Sequence, residues 1–173
     1  MRAMAKAQCL ALMGFDVDGV LTDGTLYFSA TGDELKAFSS LDGHGIKLIA
    51  AAGIEPVIIS GRRSAALERR AENLGIRELH MGVEDKRRCL ADLLARRGLD
   101  FTRAGYIGDD IVDLAVLRAC GFSATPADGH PEVRRHVDYV CRAGGGRGAA
   151  REVCDLILAA QAKLAAIHAE ALR

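Results

Sequence analysis

The stretch Cys9-Leu10-Ala11-Leu12-Met13-Gly14-Phe15-Asp16-Val17-Asp18-Gly19-Val20 decides the fold. An uncharged run ends abruptly in two acids one residue apart, followed by glycine. A short, unbroken apolar run of this kind predicts a strand buried on both faces, and such strands belong to parallel sheets covered by helices. The same pattern recurs outward along the chain. Strands are predicted at 9–15, 56–59, 78–81, 104–107, 121–124 and 138–141, with helices between them near 45–52, 64–74, 85–97, 111–119 and 131–136. This alternation predicts an α/β fold, a three-layer Rossmann-like sandwich with a mainly parallel central sheet.

Two regions depart from the rhythm. Residues 24–38 read as a protruding β-hairpin with a glycine-containing turn. The segment Gly144-Gly145-Gly146-Arg147-Gly148 reads as a flexible link into a C-terminal helix. In that helix Val153, Leu156, Ile157, Ala160, Leu164 and Ile167 form one apolar stripe, which must cover either this chain's sheet or a neighbouring subunit. With no internal repeat, low-complexity tract or linker, residues 1–173 are expected to form one domain, its hairpin about 24–38 and its tail and helix about 144–173.

The 173 residues carry 23 basic and 23 acidic side chains. A balanced charge argues against a general nucleic-acid or membrane-surface binder. No apolar run approaches the roughly 18 residues that span a bilayer, and the N-terminus lacks the pattern of a secretory signal. The five cysteines are widely spaced, without a C-x-x-C pair, as in a reducing compartment. The five histidines show no metal-ligand spacing. A cytoplasmic protein is expected. The only lysines are Lys6, Lys36, Lys47, Lys86 and Lys163, so a single arginine says little here and a well-placed lysine says more.

Four polar clusters follow four predicted strands: Asp16-Val17-Asp18, Ser60-Gly61-Arg62, Lys86, and Gly108-Asp109-Asp110 with Asp113 one turn later. The carboxyl ends of parallel strands line one crevice, where ligands bind, so the clusters can converge. Their chemistry suits phosphoryl transfer. The Asp16 carboxylate can attack phosphorus and form an aspartyl-phosphate. Asp16, Asp109 and Asp110 offer the hard oxygens that Mg²⁺ prefers, and the ion offsets repulsion between carboxylate and phosphate. Asp18 lies near enough to protonate the leaving alkoxide and then deprotonate water. Ser60 and the Gly61 N–H, at an expected helix start, can hold phosphate oxygens. Lys86 adds fixed positive charge. Ser60, Asp109 and Asp110 taken singly also read as helix N-caps. Lys86 does not, because a cation in a first helical turn opposes the macrodipole.

In order, Asp16-Val17-Asp18-Gly19-Val20-Leu21-Thr22-Asp23, Ser60-Gly61-Arg62, Lys86 and Gly108-Asp109-Asp110-Ile111-Val112-Asp113 resemble the four signature motifs of the haloacid dehalogenase superfamily. The resemblance covers nearly the whole chain. It implies that Asp16 is the nucleophile and Asp18 the general acid/base, with the Asp18 backbone carbonyl also on the metal. It further implies that Ser60 and Lys86 bind phosphate and Asp109 ligates Mg²⁺, with Asp110 and Asp113 behind the ligands. Thr22-Asp23-Gly24, Asp42-Gly43-His44-Gly45-Ile46 and the tail 146–156 resemble the capless branch that hydrolyses 3-deoxy-D-manno-octulosonate 8-phosphate for lipopolysaccharide synthesis. His44 carries no assigned chemistry.

The alternatives are a phosphatase for a nine-carbon sugar acid 9-phosphate, such as 2-keto-3-deoxy-nonulosonate or N-acetylneuraminate, and a phospho-accepting signalling module. Asp18 weighs against the module, since it speeds a hydrolysis that a signal carrier must slow. A regulatory subunit with a dead site is disfavoured because no motif residue is missing. No segment is long enough for a cap domain, so a lone subunit is expected to have an open, wet site. Tyr27 and Phe28 on an isolated ribbon want a partner. The expectation, as in the resembling family, is a homotetramer in which each hairpin covers a neighbour's site. Arg62 and Arg70 are candidate contacts for the sugar acid, and Arg147 is one if the tail closes over substrate.

Overall fold

The computed structural model describes residues 2–173. Its frame is a six-stranded, all-parallel sheet. The strands are β1 (Leu12–Phe15), β4 (Glu55–Ser60), β5 (Glu78–Met81), β6 (Ala104–Ile107), β7 (Phe122–Thr125) and β8 (Tyr139–Val140), in the spatial order β5-β4-β1-β6-β7-β8. The chain builds outward from β1 to β5, then returns to the other side of β1 and continues to β8. The reversal lies between β1 and β6, with Phe15 opposite Ile107. That is the topological switch point, where the loops leaving adjacent strands part and leave a crevice.

Right-handed crossovers place helices before and after the reversal on opposite faces. One face carries α2 (Ser40–Ala51), α3 (Ala65–Leu74) and α7 (Ala149–Ala160), and the other α4 (Lys86–Arg97), α5 (Leu114–Ala119) and α6 (Pro131–His136). The strands divide their side chains accordingly, with a period of two. Leu12, Val57, Ile59, Ala104 and Tyr106 pack with Leu90, Leu93 and Val116. Met13, Phe15, Ile58 and Ile107 pack with Ile46, Ile49, Leu67 and Val153. The ribbon β2 (Tyr27–Phe28) and β3 (Glu34–Leu35) stands apart as an antiparallel pair.

Local chemistry explains where the elements depart from the sequence-based boundaries. Helix α2 starts at Ser40, well before residue 45, because the Ser39 side chain accepts from the Asp42 N–H. Two glycines early in the helix disguise this start. The first strand begins at Leu12, and a short helix α1 (Arg2–Ala7) precedes it, burying Ala7. The stretch 111–119 is a 3₁₀ turn at Ile111–Asp113 followed by α5, rather than one helix.

The C-terminal stripe does not lie on one helix. Ala162 adopts a left-handed φ of 57° and separates α7 from α8 (Leu164–Ala171). The stripe nevertheless covers this chain's own core: Val153 and Ile157 are buried in it, and Leu156, Ala160, Leu164 and Ile167 pack against the same cluster.

Segment 144–148, expected to be flexible, is held in place. The Gly145 N–H donates to Asp128 Oδ1 (3.0 Å), the Gly146 N–H to the Val20 carbonyl (2.8 Å) and the Gly148 N–H to Asp42 Oδ2 (3.2 Å). A Cβ on Gly145 would lie 2.0 Å from the Gly19 carbonyl oxygen. Glycine is required because two backbones touch.

Candidate active site

All four predicted clusters meet at the carboxyl ends of β1, β4 and β6, in a cleft of about 450 Å³. Asp16, Asp18, Ser60, Gly61, Arg62, Lys86, Asp109 and Asp110 line it, together with Val83, Glu84 and Val112, which had not been singled out. Asp16 is the first residue beyond β1 and donates its N–H to the Ile107 carbonyl (3.0 Å), so the sheet itself fixes its backbone. Beyond it the chain curls into a turn in which Leu21 and Thr22 both donate N–H to the Val17 carbonyl. Gly19 closes this turn at φ +88°, and a Cβ there would lie 2.1 Å from Asp109 Oδ2. The Asp-x-Asp-Gly order thus has a steric cause: only glycine brings the first loop close to the acid of the last.

Lys86 opens α4 immediately after the N-cap Asp85. Its side chain is 5% exposed, and its Nζ lies 2.8 Å from Asp16 Oδ1 and 2.7 Å from Asp113 Oδ1. Burial works against that charge, but the two carboxylates outweigh it and hold the amine above its ordinary value. Asp113 is fully buried, and its second oxygen accepts the N–H groups of Asp109 (3.2 Å) and Asp110 (3.4 Å). One side chain therefore fixes both the amine and the loop that carries Asp109.

Ser60 ends β4 and is not at a helix start; the capping residue of α3 is Ser64, whose side chain accepts from the Leu67 N–H. The Ser60 hydroxyl oxygen accepts from the Arg62 N–H (3.2 Å), which leaves its own proton free to donate. Asp110 caps the 3₁₀ turn, and Asp109 caps nothing.

Asp16, Asp109 and Asp113 each bring a carboxylate oxygen within 4.8 Å of the others. Burial first, then the charge of Asp113, pushes the Asp16 carboxyl up to about 6 against the opposing pull of Lys86. Burial and the charges of Asp16 and Asp113 push Asp109 up to about 8. Asp109 Oδ1 is buried without a hydrogen-bond partner among the described residues. Crowded, desolvated oxygens with one left orphaned are what a hard divalent cation relieves, so the residues fit Mg²⁺. The Asp18 side chain stands outside this cluster, turned towards Lys36 and Arg62, so it is the backbone carbonyl of Asp18, as expected, that is left to face a metal. Asp113 is the third acid of the cluster.

The other arginines do not join the cleft of their own chain. Arg70 donates to the Ser39 carbonyl (2.9 Å) and lies over the Phe38 ring, beside a separate depression. The Arg147 guanidinium is 3.9 Å from Asp23 Oδ2 and lies outside the cleft. Lys36 was missed as a site residue, although the scarcity of lysine was a usable signal. It contacts Asp18 Oδ1 and Glu34 Oε1.

A parallel sheet with a carboxylate at its switch point, a buried amine beside it and a second acidic loop facing both defines a phosphotransferase-type site of the haloacid dehalogenase class. No family model matches the chain. It is 45% identical over 161 residues to the 3-deoxy-D-manno-octulosonate 8-phosphate phosphatase KdsC of Escherichia coli strain B, covering 93% of this chain and 86% of that protein. A probable YrbI family phosphatase from Pseudomonas syringae superposes with a TM-score of 0.98 at 48% identity, over 99% of this chain and 98% of the other. The 3-deoxy-D-manno-octulosonate 8-phosphate phosphatase of Moraxella catarrhalis, solved with magnesium, phosphate and the sugar acid, superposes at 0.96 with 40% identity, covering 98% of each chain. The chain belongs to the 3-deoxy-D-manno-octulosonate 8-phosphate phosphatase family of the haloacid dehalogenase superfamily.

Proposed function

We propose that residues 1–173 act as one phosphatase domain that hydrolyses 3-deoxy-D-manno-octulosonate 8-phosphate to the free sugar acid and phosphate. The observation that carries the reaction is the Asp16–Lys86–Asp113 chain of buried ion pairs beside the orphaned oxygen of Asp109. The cofactor is Mg²⁺, which supplies positive charge between carboxylate and phosphate when bound.

Asp16 is the nucleophile. Its carboxylate oxygen forms the bond to phosphorus as the ester P–O bond breaks, and Asp18 delivers a proton to the departing sugar oxygen. Asp18 then takes a proton from water, whose oxygen attacks phosphorus and releases Asp16 and phosphate. The Ser60 hydroxyl, the Gly61 N–H and the Lys86 amine hold phosphoryl oxygens, their charge aimed where negative charge concentrates. Asp109 would hold the metal with Asp16 and the Asp18 backbone carbonyl, with Asp110 and Asp113 behind them. Arg62, the arginine that lines the cleft, is the sugar-acid contact this chain provides itself.

The working form is a homotetramer, in which hairpins exposing Tyr27 and Phe28 pack together and each covers a neighbour's cleft. No helix among the described residues is long and apolar enough to cross a membrane, and the compartment consistent with five unpaired cysteines is the cytoplasm. Phosphate release is to be measured with Mg²⁺ on the eight-carbon substrate and on nine-carbon sugar acid 9-phosphates. The expected result is a kcat/KM at least about tenfold higher on the former, a margin of roughly 1.4 kcal/mol. Preference for a nine-carbon substrate would overturn the assignment.

A further inference from the structure

Lysines on an exposed ribbon ordinarily keep their amine in water. Lys36, the residue after β3, does the opposite. Its side chain is 2% exposed, while the preceding residue, Leu35, is 66% exposed to solvent. The amine turns under the hairpin to Asp18 Oδ1 and to Glu34 Oε1 (3.2 Å). Glu34 Oε1 also accepts from Arg62 Nη2 (3.2 Å), and Arg62 Nε lies 3.7 Å from Asp18 Oδ2. Two acids and two cations from three separate segments thus close a ring around one carboxylate. That carboxylate projects from a loop, not from the sheet, and is not part of the buried acid cluster.

We propose that Lys36 is a positioning residue for the known reaction: it clamps the Asp18 carboxylate at the cleft mouth in the orientation from which a proton reaches the leaving oxygen. The inference rests on the acid/base role given to Asp18 above. An unclamped aspartate on a surface loop samples several rotamers, and small misplacements of a catalytic group cost rate steeply. A lysine suits the task because its amine is a compact point charge that touches one oxygen of each acid, leaving Asp18 Oδ2 towards Arg62. The hairpin then serves its own subunit at its base, whatever its tip covers.

The test separates proton delivery from binding by varying the leaving group. With Mg²⁺ and the full chain, kcat/KM is measured for p-nitrophenyl phosphate, phenyl phosphate and glycerol phosphate, in the wild type, Lys36→Met and Asp18→Asn. This parameter covers steps only through departure of the first leaving group, so the later deprotonation of water does not enter. For Lys36→Met the expected loss grows with leaving-group basicity, from about threefold or less on the nitrophenyl ester to about tenfold or more on the alkyl ester. A loss equal across the series, or no loss, overturns the clamp. If Asp18→Asn shows the graded loss and Lys36→Met does not, the clamp alone fails. If Asp18→Asn is itself ungraded, the acid role fails first. Lys36→Gln gives the same readout should the methionine variant not fold.

Discussion

Around Asp16 the polar groups are buried and closely paired, save one orphaned oxygen of Asp109: Lys86 is 5% exposed and lies between two acids, and Asp113 has no exposure at all. A few residues on, the ribbon of β2 and β3 holds four residues in regular pairing and shows Phe28 at 61% exposure. The first region is made by the sheet. Parallel strands end side by side, and helices on both faces remove the water, so charges there are strong and their geometry is inherited from the core. The second region has no core. What order it has comes from its Ser29–Thr31–Asp33 turn and from Lys36 and Glu34 reaching back to Asp18 and Arg62. On the proposed reading, reactivity is written into the sheet-built part of the molecule, while coverage of substrate falls to a part that depends on contacts.

The contrast predicts a hierarchy of effects. Asp16→Asn keeps shape and removes the proposed nucleophile, so turnover is expected to fall by about 10⁴-fold or more with the circular dichroism spectrum unchanged. Retention of a few per cent of activity in a phosphate-release assay would break the reading of the sheet region. Chelation by EDTA is expected to lower activity by on the order of 10³-fold, with recovery on adding Mg²⁺.

Metal removal should also carry a pH signature. In the metal-free protein Asp16 and Asp109 are raised to about 6 and about 8, from an ordinary value of 3.8. Stability from their protonated forms is complete below the unfolded value and is lost as pH rises through those two values. The melting temperature of metal-free protein should therefore fall from about pH 5.5 to about pH 8.5, and Mg²⁺ should raise it more at the higher pH. Calorimetry at both pH values checks this, and an equal metal effect at both would contradict it.

Asp113→Ala probes the support rather than the chemistry. It strips Lys86 of one partner and leaves the Asp109 and Asp110 N–H groups without their acceptor. A loss of about 3 kcal/mol in urea unfolding is expected, and less than about 1 kcal/mol would show that Asp16 alone suffices for the amine. The smallest change in fold stability, within about 0.5 kcal/mol, is expected for Tyr27→Ser with Phe28→Ser. Its signature is dissociation in sedimentation, with a kcat/KM on the sugar acid phosphate lower by about tenfold. Fully active monomers would sever coverage from the hairpin.

The sheet was legible because buried strands advertise themselves: Val57-Ile58-Ile59 and Gly105-Tyr106-Ile107 need no context to be read. The site was legible for the same reason, since Asp16, Ser60 and Asp109 each follow such a run and a parallel topology brings run ends together. What escaped reading depends on long-range partners. The Asp42 carboxylate accepts the N–H groups of Gly148 and Arg151, more than a hundred residues away, and so pins a segment whose composition reads as slack. Arg70 has the charge of a substrate ligand but spends it on the Ser39 carbonyl. Lys36 has no motif around it to mark it, and only the fold of the ribbon over Asp18 gives it its neighbourhood.

The contact between Gly145 and Gly19 joins two distant stretches of the polypeptide beside the Asp16–Asp18 loop. During synthesis the chain emerges from its beginning. Asp16 and Asp18 are therefore made before the glycines that brace their loop, which follow all six strands of the main sheet. A nascent chain thus carries the Asp16–Asp18 loop before its brace, which arrives with segment 144–148.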